Sequence, residues 1–149
     1  AEGFARQSLL GQRLFEKLLG TKTHIGYCPD SFGHCATIPK ILRESEMDSY
    51  VFMRPKPHEN NIPRSVFRWK ADDGSEVTTF RVHINYGLTL YRNSIQRINL
   101  SVEEATETGV PQLALFGVSN HGGGPSHDLI KAIKADWLEN AEFSCEIKF

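Results

Sequence analysis

The chain has no apolar run approaching the roughly 18 residues that a membrane helix needs. It has no charge bias either. Its 17 basic and 18 acidic residues leave a formal net charge of -1, so nothing marks a face for nucleic acid, whose binding relies on clustered basic groups. Cysteine is scarce and odd in number. Cys28, Cys35 and Cys145 cannot all pair, which fits a reducing compartment better than a disulfide framework and sets the expectation of a cytoplasmic protein. The opening Ala1-Glu2-Gly3-Phe4-Ala5-Arg6 lacks the basic-then-apolar pattern of a signal peptide. Internal repeats and low-complexity tracts are absent. What is present is ordinary: 40% hydrophobic and 23% charged residues argue for a folded domain and against disorder.

Periodicity divides the chain into alternating elements. Residues 2–19 read as an amphipathic helix, with Phe4, Leu9, Leu10, Leu14, Phe15, Leu18 and Leu19 at helical spacing and Gly20 as its stop. Residues 24–28 read as a short buried strand. Residues 36–46 read as a second helix, with Pro39 in the first turn, where a missing N–H costs little. Residues 50–53 form another short apolar strand, and the proline-rich 54–64 a loop. Residues 65–70 and 77–82 are strand-like, and the Asp73-Gly74 pair between them signals a hairpin. Residues 85–93 read as a loop. A helix is expected near 101–107, where Ser101 precedes Glu104 in capping-box spacing. Residues 113–118 read as a strand, 126–140 as a helix and 142–145 as the start of one more strand. Apolar strands alternating with helices imply right-handed βαβ units and a parallel sheet.

Functional residues of such sheets cluster at the C-terminal ends of the strands. Three segments fall there: Cys28-Pro29-Asp30-Ser31-Phe32-Gly33-His34, Met53-Arg54-Pro55, and Ser119-Asn120-His121-Gly122-Gly123-Gly124-Pro125. Asp30 is open to two readings, a cap of the following helix or a carboxylate facing a pocket as nucleophile or metal ligand. His34 and Cys35, with Cys28, make a zinc cluster conceivable, although the spacing matches no closed structural zinc pattern. Arg54 is either a surface arginine flanking a core strand or a guanidinium that grips a carboxylate or sugar hydroxyls. The glycine run before a helix either cradles an anion at the helix N-terminus or makes a tight strand-to-helix turn, and it fits neither the phosphate-binding P-loop nor the dinucleotide fingerprint. His127-Asp128 reads as a solvated helix face. Phe32, Trp69, Tyr86 and Tyr91 are aromatics near loops that either line a sugar site or belong to the core.

Gly26-Tyr27-Cys28-Pro29-Asp30-Ser31-Phe32-Gly33-His34 resembles the nucleophile motif of glycoside hydrolase family 38, the α-mannosidases. Pro39-Lys40-Ile41-Leu42, Tyr50-Val51-Phe52-Met53-Arg54-Pro55 and Phe67-Arg68-Trp69-Lys70-Ala71-Asp72-Asp73-Gly74-Ser75 resemble segments that follow it there. The stretch Phe116-Gly117-Val118-Ser119-Asn120-His121-Gly122-Gly123-Gly124-Pro125-Ser126 resembles a glycine-rich segment of its bacterial and cytosolic members. The resemblance covers nearly the whole chain in the right order. It implies an α/β fold that is an internal part of a (β/α)7-type barrel with parallel strands and a β-hairpin insertion, the rest of the barrel lying outside these residues. It implies one zinc ion, with Asp30 as both nucleophile and zinc ligand, and substrate contacts from Phe32, Arg54, Asn85, Tyr86, Asn120 and His121.

Two departures from the family pattern stand out. No His-x-Asp motif, the source of two zinc ligands in the family, occurs anywhere in the sequence, and His127-Asp128 sits in the wrong context for the late His-Asp ligand. No Asp or Glu occupies Ser119-Asn120-His121, the segment aligned with the family's acid/base carboxylate. The remaining zinc ligands are therefore expected outside the chain.

The resemblance implies hydrolysis of terminal α-mannosides with retention, which uses two carboxyl groups, one as nucleophile and one as acid then base. The implied partner is a mannose-containing glycan, with no nucleic acid and no membrane. The 149 residues alone are expected to be inactive and to self-associate, because part of a barrel leaves strand edges and apolar faces open. Two other readings compete. One is a metal-dependent carbohydrate hydrolase of another barrel family, similar to polysaccharide deacetylases, using Asp30 as ligand or base without a covalent intermediate. The other is a non-catalytic sugar-binding fragment.

Overall fold

The computed structural model describes residues 1–56, 58–82, 84, 91–117, 124–139, 146 and 148, with the backbone alone at 91–93 and 136–139. The backbone divides into two units, 1–81 and 82–149.

The first unit is a mixed sheet of four strands, β1 (Ile25–Cys28), β2 (Ser49–Phe52), β3 (Val66–Lys70) and β4 (Glu76–Arg81), in the order β1-β2-β4-β3. The pairs β1–β2 and β2–β4 are parallel, and β3–β4 is an antiparallel hairpin. The hairpin is expected from Asp73-Gly74, and Gly74 takes the positive φ of 89° that the turn requires. It is not an insertion beside the sheet, because β4 pairs directly with β2 and extends the parallel part while β3 forms the edge.

Two helices accompany the sheet, α1 (Glu2–Leu19) and α2 (Ile38–Glu44). Pro39 lies in the first turn of α2 as the sequence implies. Ile38 and Leu42 project from α2 onto Tyr50, Phe52 and Val77 and form the core of the unit. The approach at Gly26 is so close that an added Cβ would lie 2.7 Å from Leu42 Cδ2 and 3.0 Å from Tyr50 Cδ2. On the other face of the sheet Ile25, Tyr27 and Val66 are exposed.

Helix α1 ends where expected, with Gly20 in the left-handed region and its N–H bonded to Glu16 O. Its apolar stripe differs from the usual amphipathic arrangement. Leu9, Leu10, Leu14, Leu18 and Leu19 are exposed, and Gln12 is the buried residue of the helix. The Gln12 amide donates to the Thr23 and Ser45 carbonyls at 2.7 Å each and accepts from Thr23 N at 2.9 Å. A polar clasp rather than apolar burial thus ties α1 to the segments entering β1 and leaving α2.

The second unit holds α3 (Tyr91–Thr108) and α4 (His127–Glu139). Ile98 and Val102 pack with Leu129 and Ile133, and Ala114 and Phe116 lie against them. Three expectations are corrected here. Helix α3 begins ten residues before Ser101 and overlaps part of the expected 85–93 loop. Ser101 and Glu104 are buried inside it and do not form a capping box. The run Ile95, Ile98, Val102 keeps helical spacing through Ser101, so tertiary packing overrides a local capping pattern. Residues 113–117 form no strand, and Ala114 and Phe116 pack on the helix pair instead of joining a sheet. The expected strand at 142–145 lies outside the described residues. Helix α4 is capped by Ser126, whose Oγ accepts from Leu129 N at 3.1 Å. His127 and Asp128 are exposed, as a solvated face requires. Among the described residues no helix is long and apolar enough to cross a membrane.

Candidate active site

Strands β1 and β2 are adjacent and parallel, and Cys28 pairs in register with Phe52. Asp30 and Arg54 each lie two residues beyond those partners, so the parallel register delivers the carboxylate and the guanidinium side by side. Arg54 Nε donates to Asp30 Oδ1 at 3.0 Å. Asp30 is not the cap of α2, whose N-cap is Thr37. The pair is only half-buried, with side-chain exposures of 28% for Arg54 and 47% for Asp30. The carboxylate therefore stays open to an incoming group.

Arg54 is held on three sides. Its guanidinium carbon lies 5.1 Å from the centroid of the Phe32 ring, within cation–π range. Its carbonyl oxygen lies 2.6 Å from His34 Nε2. The other ring nitrogen of His34, Nδ1, lies 3.0 Å from the Tyr50 hydroxyl. The His34 ring meets Tyr50, Phe52 and Trp69 edge-on, at centroid distances of 5.6, 4.9 and 6.0 Å. Burial, followed by the nearby Cys28 thiol, pushes the Tyr50 hydroxyl far above the ordinary tyrosine pKa. Tyr50 consequently remains a donor, and both nitrogens of His34 are engaged. Neither is left for a metal, and the described residues hold no group of three or more His, Cys, Asp or Glu placed to bind one. The Cys28–His34–Cys35 cluster is thereby set aside, while Asp30 still presents one hard oxygen ligand of the kind zinc accepts.

Beside this pair is a cavity of about 590 Å³, lined by Phe32, His34, Arg54, Glu59 and Trp69 among others. Its lining combines aromatic rings with polar side chains, a mixture that suits the C–H faces and hydroxyls of a sugar. The Glu59 carboxylate accepts from Lys56 N at 2.6 Å. That backbone hydrogen bond, with smaller help from the His58, Arg54 and Lys56 charges, holds Glu59 below the usual carboxylate range against an opposing desolvation effect. This is the opposite of the shift that a general acid needs.

Of the residues expected at the site, Asp30, Phe32 and Arg54 come together, and Trp69 joins the adjoining cavity. Asn85, Tyr86, Asn120 and His121 lie outside the described residues. In the sequence His34 stands out only as a metal ligand, and nothing marks Tyr50 or Glu59. The contacts of His34 span 16 and 20 residues, and no spacing rule links such positions.

The whole chain, residues 1–149, matches the model of the glycosyl hydrolases family 38 N-terminal domain. It is 33% identical over 141 residues to an alpha-mannosidase of Saccharomyces cerevisiae and 31% identical over 137 residues to alpha-mannosidase G of Dictyostelium discoideum. Each alignment covers 89% of this chain and 12% of the relative, so the chain spans about an eighth of their length. The fold superposes on an alpha-mannosidase from Enterococcus faecalis with a TM-score of 0.67 and 20% identity, covering 95% of this chain and 17% of that one. A match along its entire length places the chain in a known family: it belongs to glycosyl hydrolase family 38, within the N-terminal domain.

Proposed function

We propose that the chain carries the nucleophile of a retaining, zinc-dependent α-mannosidase that removes terminal α-mannosyl residues from glycans. The observation behind this reading is the Arg54–Asp30 contact at the ends of two neighbouring parallel strands, in a family whose relatives are named alpha-mannosidases. The relatives are much longer, so the activity is proposed for an enzyme of their size. In it the sheet is read as part of a (β/α)7 barrel, the remaining strands coming from outside the described residues.

The geometry supports the following roles, which the family resemblance suggests. Arg54 orients Asp30 through Nε and can reach a sugar hydroxyl with the rest of its fork. Asp30 attacks the anomeric carbon, forming a carboxylate–C1 ester as the bond to the leaving oxygen breaks. The leaving oxygen takes its proton from a general acid outside the described residues. Water then attacks C1, that acid now accepts the water proton, and the released ester restores Asp30 and gives the product with retention. Phe32 and Trp69 offer aromatic faces to the sugar beside Arg54. Zinc, held by Asp30 together with ligands from outside the described residues, would supply Lewis-acid binding of sugar hydroxyls.

The test is covalent trapping. An activated fluoro-mannoside incubated with the catalytically competent enzyme is expected to label Asp30, seen by mass spectrometry of the peptide containing it. Asp30→Asn is expected to abolish both labelling and turnover of an aryl α-mannoside. Near-normal turnover in Asp30→Asn would overturn the assignment. A wild-type enzyme that turns over without any adduct would favour a single-displacement hydrolase.

A further inference from the structure

We propose that His34 is a positioning residue that sets the Arg54 guanidinium on Asp30 by holding the Arg54 backbone. The inference rests on the proposed role of Asp30 for its catalytic consequence, though not for its geometry.

Each nitrogen of His34 has one short partner, and the Ser31 hydroxyl lies farther off, 3.5 Å from Nδ1 and 3.4 Å from Nε2. A carbonyl oxygen can only accept, so Nε2, 2.6 Å from Arg54 O, must carry the proton and donate it. In the neutral ring Nδ1 is then bare and accepts from the Tyr50 hydroxyl at 3.0 Å, a hydroxyl that also meets the Cys28 thiol. The Ser31 hydroxyl is too distant from Nε2 to compete with the carbonyl. The ring is thereby fixed as one tautomer, and its plane is fixed by edge contacts from Tyr50, Phe52 and Trp69. Tyr50 is itself 1% exposed on β2, so the chain of bonds is anchored in the core of the sheet.

This bond solves a local problem. Strand β2 ends at Phe52, and its ladder no longer fixes the backbone at Arg54. A tether on the Arg54 carbonyl therefore limits how far the guanidinium can move from Oδ1. His34 supplies that tether from the same loop that carries Asp30. The two sides of the Arg54–Asp30 contact are therefore tied together twice, once through side chains and once through His34. A displacement on the order of 1 Å at a catalytic group can cost a hundredfold in rate, and residues that orient such groups commonly matter tenfold to a hundredfold.

Two substitutions separate holding from packing. His34→Phe keeps an aromatic ring against Phe52 and Trp69 but removes both hydrogen bonds. His34→Gln removes the ring but keeps a donor for Arg54 O and an acceptor for Tyr50. In the full chain, long-range proton–nitrogen correlation is expected to show a protonated Nε2 and an unprotonated Nδ1 for His34. Hydrogen exchange at Arg54 Nε is expected to be slowed in the wild type and in His34→Gln, and to become fast in His34→Phe. In the competent enzyme His34→Phe is expected to lower kcat roughly tenfold to a hundredfold, with a smaller change in KM and recovery of most of the loss in His34→Gln. A protonated Nδ1, unchanged Arg54 exchange in His34→Phe, or equal losses in the two variants would overturn the proposal. If Asp30 proves not to be the nucleophile, the tautomer and exchange results still decide whether His34 holds Arg54.

Discussion

Asp30 and Arg54 are 24 residues apart, the same offset that separates every paired position of β1 and β2 from Ile25↔Ser49 to Cys28↔Phe52. The contact is thus the parallel ladder continued two steps past the last hydrogen-bonded pair, made by side chains instead of backbone.

Its half-exposed setting separates activity from stability. A surface ion pair is worth about 0–1 kcal/mol. Arg54→Met is therefore expected to leave the thermal midpoint almost unchanged while lowering kcat/KM at least tenfold, since orientation of the carboxylate is lost. Arg54→Lys should recover little, because an ammonium cannot offer the donor fork of a guanidinium. Paired measurement of melting and aryl-mannoside hydrolysis checks this. A fall in activity that tracks a fall in stability would assign Arg54 a structural role only.

Gly26 is required for space. The missing Cβ would meet Leu42 Cδ2 and Tyr50 Cδ2. Leu42 is 2% exposed and packed in the core, and Tyr50 is pinned through its hydroxyl, so neither can swing away. Gly26→Ala is expected to cost about 1–3 kcal/mol by overpacking, read as a lower urea midpoint. Combining it with Leu42→Ala should cost less than the sum of the two single changes, because the second opens the space that the first fills.

These residues also show what the sequence makes legible. Asp30 and Arg54 are identifiable because each lies within two residues of the end of a short strand-like run, and strand ends are where such sheets place chemistry. Gly20, Pro39 and the Asp73-Gly74 turn act through their own backbone preferences, so their neighbours could not mislead. The fate of the α1 stripe was not legible. Its Leu and Phe spacing specifies a helix but not what covers it, and among the described residues the leucines stay exposed. Residues 113–117 failed for a related reason, since an apolar run fits a strand or a packed coil equally well until its neighbours are known. His34 and Tyr50 needed the sheet to be folded before their contact could exist.

The exposed leucines of α1, together with Ile25, Tyr27 and Val66 on the open sheet face, predict self-association of the 149-residue chain. Exposed apolar area of this kind is removed from water by pairing. Sedimentation is expected to show species larger than a monomer at micromolar concentration, and Leu10→Lys with Leu14→Lys should shift them toward monomer. A strictly monomeric wild-type chain would contradict this.

Metal binding should be weak in the chain alone. Asp30 offers one oxygen, whereas tight zinc sites combine about three or four ligands. Metal analysis after dialysis is expected to find well under one zinc per chain, and Asp30→Asn should leave that value unchanged within error. Stoichiometric zinc would require a ligand set that the described residues do not contain.

Alkaline pH provides a separate probe of the core beneath the site. Burial, then the Cys28 thiol, raises the Tyr50 pKa above its ordinary value of 10.0, so the folded chain keeps this proton where the unfolded chain loses it. The sign follows: the stability carried by the protonated hydroxyl is fully present below pH 10 and is lost progressively as pH rises above it. With one proton involved, the slope should approach about 1.4 kcal/mol per pH unit. Urea unfolding at increasing alkaline pH is expected to show this decline in the wild type and a shallower one in Tyr50→Phe, whose baseline stability is lower because His34 Nδ1 loses its donor. Spectrophotometric titration should likewise show one tyrosine that ionises only as the protein unfolds. If the Tyr50 hydroxyl ionised near its ordinary pKa in the folded chain, its burial would be absent from the protein in solution.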